Sequence, residues 1–213
     1  LNEDWLVGFR LASGSTSNPT STNETMDDDG ANDTLTIDQA YVAWTPSEAI
    51  RLTFGKMVNP LDVDNHVMDS DYTPEGLGFN YTRALGENHT FGMNIGAIIV
   101  DESSGDSSDA YAGLAQVTLD SELNAKFSSH IGVTTYSIFN KEAAKEAHAH
   151  RGNTATYSGS DQTLSYNYNP VIIDAALTYN LVSFPMWEGS FPVKLGGTYI
   201  NNPSVSEKNE AYL

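Results

Sequence analysis

Six charged residues stand inside stretches where apolar side chains recur at every second position: Arg10, Asp38, Arg51, Lys56, Asp174 and Lys194. On the polar side of an alternating strand, such charges can line a water path and set which ions enter it. They can equally pair with one another and support the shape of the wall. Arg83 is a seventh, but it shares parity with Leu77, Phe79 and Tyr81. Beside the turn "ALGENH" its stem can lie along an apolar surface with the guanidinium in water. A second group is purely acidic: Asp62, Asp64, Asp69, Asp71 and Glu75, after "GKMVNP". Folded inward, that loop would make an acidic constriction favouring cations, and hard divalent ions also prefer carboxylate oxygens. The spacing does not match the twelve-residue calcium loop, and "DDDGAND" (Asp27–Asp33) lacks its terminal Glu. A solvated surface is the plainer expectation for both loops, and no metal site is assigned.

Other chemistry is sparse. His148 and His150 form an H-x-H pair, whereas His66, His89 and His130 stand alone and no H-E-x-x-H occurs. No G-x-S-x-G marks a nucleophilic serine. The absence of cysteine excludes a thiol nucleophile and a disulfide framework. Neither an enzyme nor a cofactor is expected. With 10 Lys plus Arg against 28 Asp plus Glu, the formal charge is −18, which argues against nucleic acid, since phosphate binding needs a cationic surface. The opening "LNEDW" has neither a basic segment nor an apolar run, so no signal peptide is expected within it. "GAIIV" (Gly96–Val100), the most apolar stretch, is too short for a membrane helix.

The elements that must position these residues are strands. Period-two alternation puts successive side chains on opposite faces, as in Phe91, Met93, Ile95, Ala97 and Ile99 against Gly92, Asn94, Gly96 and Ile98. About nine strands follow, roughly 4–13, 35–45, 50–58, 76–85, 90–101, 110–120, 123–138, 163–182 and 191–201. Only "NKEAAKEAHAH" (Asn140–His150) has helix-forming composition. Connectors alternate long and short along the first part of the chain, which in an up-and-down topology gives one end of tight turns and one of long loops. The polar side of the strands is rich in Gly, Ala, Asn, Thr and Ser and poor in charge, which fits a hydrated lumen. Trp5, Tyr41, Trp44, Tyr81, Tyr179 and Tyr199 lie near strand ends, as aromatic girdles do. In "LTIDQAYVAW" the row Ile37, Tyr41 and Ala43 is almost as apolar as its rival, but the later half of the strand favours Ala40, Val42 and Trp44 on the apolar side with Gln39 and Tyr41 opposite. Asp38 is then out of phase, so a bulge is expected at Asp38 or Gln39.

"LTIDQAYVAWTP" followed by "IRLTFGKMVNP", with "WLVGFRLASG" before and "YNPVIIDAALTYNL" and "FPVKLGGTYINNP" after, resembles the bacterial outer-membrane putative porin family. The resemblance implies a channel for small solutes in the outer membrane of a Gram-negative cell, and no site residue carries over. Residues 1–213 are thus expected to form an all-β, antiparallel up-and-down transmembrane β-barrel, or one segment of a larger barrel. Its function would be passive diffusion of small hydrophilic solutes or ions, with a weak cation preference from the acidic balance. Expected partners are outer-membrane lipid, those solutes or ions, and further copies of the chain. Two alternatives stand beside it: a secreted or surface β-sandwich binding glycans or host molecules, and a plugged structural barrel with interacting outer loops.

Overall fold

The computed structural model describes residues 3–14, 35–63, 67–102, 109–144, 154–158, 161–181, 189, 191–207 and 210–213. The alternating runs form β1 (Trp5–Ser13), β2 (Leu35–Ser47), β3 (Ile50–Lys56), β4 (Glu75–Leu85), β5 (His89–Asp101), β6 (Ala110–Glu122) and β7 (Phe127–Phe139). A 3-10 turn at Lys141–Ala143 and a small hairpin, β8 (Ala155–Ser158) and β9 (Asp161–Leu164), come next, then β10 (Val171–Leu181), β11 (Phe191–Asn201) and β12 (Glu210–Tyr212). The expected helical composition at Asn140–His150 yields only that 3-10 turn, entered through a left-handed Asn140 (φ 54°); residues 145–150 lie outside the described part. The single strand expected at 163–182 is divided between β9 and β10.

Ten strands pair into one antiparallel sheet, ordered β1-β2-β3-β4-β5-β6-β7-β10-β11-β12. The β8–β9 hairpin is a second, two-stranded sheet. Apart from the β8–β9 hairpin, which stands between β7 and β10 in the chain, successive strands are neighbours in the sheet, so the meander is as expected, but the barrel is not. β1 pairs only with β2 and β12 only with β11, and no pairing joins the two ends among the described residues. The sheet is open. This corrects the closed transmembrane barrel: alternation and turn lengths specify neighbouring pairs, whereas closure needs a bond between the first and last strands that no local pattern encodes.

The bulge is present. Arg10 opposes Gln39 and Leu11 opposes Ile37, leaving Asp38 as the extra residue. It rescues the alternation: Asp38, Gln39 and Ala43 are buried while Ile37, Ala40, Val42 and Trp44 are exposed. Without it, Asp38 would stand in the apolar row.

One face of the sheet is apolar and open, with Phe9 63%, Ile95 45%, Ile131 51% and Leu195 78% exposed. Its rings pair across strands: Trp5 stacks on Trp44 at 5.9 Å, Tyr81 meets Phe91 edge-on at 6.5 Å, and Phe127 meets Tyr179 at 4.9 Å. All three pairs lie at the short-turn end. Tyr41, expected with them, is on the other face, where its ring covers Gly8; a Cβ there would fall 2.2 Å from the ring.

The opposite face carries the small and polar residues, and the chain itself covers much of it. Gly78 and Gly96 form a shelf on which Met57 and Pro60 lie, each within 3.2 to 3.4 Å of where a Cβ would be. Met57 is 2% exposed. Beyond it Leu61 packs with Ile98, Ala112 and Leu114, and a second cluster joins Ala110, Ala143, Ala144 and Leu164. The small residues therefore seat a loop, where the sequence alone suggests an open water path.

Candidate functional site

A row of amides crosses the polar face. Asn80, Asn94, Gln116 and Thr134 are consecutive register partners on β4, β5, β6 and β7. Asn80 Nδ2 donates to Asn94 Oδ1 at 2.7 Å, Asn94 Nδ2 to Gln116 Oε1 at 2.7 Å, and Gln116 Nε2 to Thr134 Oγ1 at 2.8 Å. The loop between β3 and β4 is tied to this row. Asn80 Nδ2 reaches Pro60 O at 3.1 Å, Gln116 Nε2 reaches Asp62 O at 2.6 Å, and Asp62 N donates to Gln116 Oε1 at 2.8 Å. A buried amide so fully engaged fixes the loop backbone, because any break strands a desolvated polar group.

Two register steps toward the short-turn end, a cavity of about 960 Å³ opens between this loop, the β4–β5 turn and strands β6, β7, β10 and β11. Its lining includes Asp62, Asp120, His130, Asp174, Thr178 and Lys194. Asp120 on β6 opposes His130 on β7, and Asp174 on β10 opposes Gly132, two residues beyond His130. A Cβ on Gly132 would lie 2.5 Å from Asp174 Oδ1, so this glycine lets the carboxylate lie flat and reach diagonally to the imidazole. His130 Nδ1 is 2.7 Å from Asp120 Oδ1 and Nε2 is 2.9 Å from Asp174 Oδ2. Burial pushes the imidazole pKa down. The Asp120 hydrogen bond and the charges of Asp120, Asp174 and Asp62 outweigh it and hold the pKa above the ordinary 6.5. Asp174 Oδ1 is buried and finds no donor among the described residues.

The charges expected to line a pore separate into three places. Arg10 is ion-paired through Nε to Asp38 Oδ2 across the bulge. Thr73 Oγ1 donates to Asp38 Oδ1 at 3.4 Å, and Lys56 Nζ donates to Thr73 O at 3.0 Å. These three charges brace β1, β2 and β3 against the segment before β4. Arg51 opposes Asn80 at the head of the amide row. Asp174 and Lys194 reach the cavity. The acidic loop does not gather: Asp62 lines the cavity, Asp69 Oδ1 accepts from Asp71 N at 2.9 Å in an exposed turn, and Glu75 opens β4 opposite Lys56. Asp64, His66, His148 and His150 lie outside the described residues. No group of three His, Cys, Asp or Glu able to hold a metal ion occurs among the described residues. In the sequence His130 stands alone, and no motif singles out Asp120 or Gln116. Their parity with Thr118 and Thr134 was readable, but the register that brings them together was not.

The open antiparallel sheet of the described residues, with one apolar face and one polar, loop-covered face, puts the chain in the class of all-β proteins. Within that class the chain belongs to the putative porin family, whose model matches residues 1–169. No curated protein matches, and no solved structure does.

Family membership does not restore the channel. Open edges expose unpaired N–H and C=O groups, which hydrocarbon does not tolerate, and a diffusion channel needs a sealed wall around its water path. The described sheet has two edges and supplies no such wall. The expectations of a transmembrane ion or solute channel, of a plugged barrel, and of outer-membrane lipid and further copies of the chain as partners were built on a closed barrel, and the open sheet of the described residues conflicts with them.

Proposed function

We propose that the chain is a surface-associated, all-β binding protein of the putative porin family that holds a hydrophilic glycan on its polar face. Family membership supports a place at the outer membrane of a Gram-negative cell. The observation that carries the binding reading is the cavity of about 960 Å³, of a size that takes small ligands. Its hydroxyl and amide groups, among them Asn88, Thr90, Ser121 and Thr178, match the donors and acceptors of a sugar chain. Among the described residues no Phe, Tyr or Trp lines it, so recognition runs through hydrogen bonds. Its charge is predominantly acidic, with Asp62, Glu87, Asp120, Glu122 and Asp174 against Lys194 and His130. That balance selects neutral or ammonium-bearing sugars and repels sulfated ones.

Titration calorimetry with chitosan oligosaccharides and with heparin fragments of equal length tests this. Chitosan oligosaccharides are expected to bind, heparin fragments not, and Asp120→Asn is expected to weaken the binding about tenfold, near 1.4 kcal/mol. Silence toward every glycan, together with stable conductance steps in a planar bilayer, would sink the reading.

A further inference from the structure

We propose that His130 is a protonation-controlled clasp, whose imidazolium ties β6, β7 and β10 together at the wall of the cavity and whose neutral form releases one of the two ties. The argument is geometric. Asp120 Oδ1 and Asp174 Oδ2 stand 2.7 and 2.9 Å from the two ring nitrogens. An ionised carboxylate oxygen only accepts, so both bonds exist together only when both nitrogens carry protons. A neutral ring has one N–H and turns a lone pair toward the other carboxylate. The groups facing the ring come from each neighbouring element: Asp120 from β6, Asp174 from β10 and Asp62 from the β3–β4 loop. Lys194 on β11 lines the same cavity.

Loss of the ring's proton is costly here because Asp174 is only 15% exposed and its Oδ1 already finds no donor among the described residues. Releasing Oδ2 leaves a largely buried carboxylate without a hydrogen bond from the ring, so it draws toward water and away from β7. Gly132 is the enabling residue, since any Cβ at that position occupies the place of the carboxylate.

The pKa of His130 lies above its ordinary value in the folded chain. The clasp therefore adds stability that is complete below the unfolded value and disappears as pH rises through the folded one. Only its consequence for ligands, a cavity whose wall loosens as pH rises, rests on the glycan reading.

The test is a pH titration of the histidine ring signals by NMR on the protein without ligand, with His130→Gln assigning the signal among the 5 histidines. The expected midpoint for His130 is above 6.5, moving down in Asp120→Asn, in Asp174→Asn and in Gly132→Ala. Urea unfolding is expected to show the wild type losing stability as pH rises from below 6.5 through the raised folded-state value, with that loss reduced in His130→Gln. A midpoint at or below 6.5 that ignores both carboxylate substitutions would overturn the clasp, and so would an undiminished loss in His130→Gln. Asp120 is exposed, so its variant keeps the test alive if Asp174→Asn fails to fold. Because no ligand is present, a failed glycan titration leaves this result standing, and a failed clasp leaves the glycan result standing.

Discussion

Gly8 and Tyr41 show how tightly single residues are matched across the polar face. The ring lies where a β-carbon at position 8 would go, at 2.2 to 2.6 Å from three of its atoms. Gly8→Ala must therefore displace the ring, and overpacking of this kind costs about 1–3 kcal/mol. Urea denaturation should show that loss, with Gly8→Ala in a Tyr41→Leu background recovering part of it. At this scale the sequence was readable where one strand's chemistry was self-contradictory. Asp38 interrupts an otherwise regular apolar row in "LTIDQAYVAW", and only an inserted residue reconciles the two halves. His130 was unreadable for the complementary reason. Nothing in "KFSSHIGVTT" conflicts with a strand, and its partners Asp120 and Asp174 lie 10 and 44 positions away, brought together by register alone.

Among the elements, the loop between β3 and β4 departs furthest from the sequence reading. Its carboxylates stand out in the sequence, yet its backbone and apolar residues place it. Met57, Pro60 and Leu61 fill the shelf left by Gly78 and Gly96, and Gln116 grips Asp62 by both its N–H and its C=O. Gln116→Leu keeps approximate volume and removes every one of those bonds. It leaves the polar groups of Asp62, Asn94 and Thr134 desolvated without their partner, a cost of about 1–3 kcal/mol for each that stays buried. Limited proteolysis should then cut within residues 57–74 faster than in the wild type, while β5 and β6 stay intact. An unchanged cleavage rate would show that apolar packing alone seats the loop. Strand positions were legible because alternation is a local property. The seating of the loop was not, since a glycine on a polar face reads the same whether it borders water or a packed proline.

For the whole molecule, the two faces were legible and the connection between the ends was not. Apolar rows such as Phe91 to Ile99 fixed which side of each strand is which, and the sheet follows them. Alternation has the same form in an open sheet and a closed one, so it carried no information on closure. The apolar face remains exposed across its width, with Val7 59%, Phe9 63%, Leu195 78% and Val193 50%. A contiguous surface of this kind marks a place of interaction. The polar face is where loops, amides and the His130 network assemble a cavity. The account therefore depends first on the sheet being open at β1. In an antiparallel pair, alternate amides of an edge strand point away from the partner and have no ladder bond. Residue-resolved hydrogen exchange by NMR reads this directly. The open sheet predicts that alternate amides of β1 exchange rapidly while those of β5 and β6 are slow, and a β1 protected at every amide, as a closed wall requires, would contradict it.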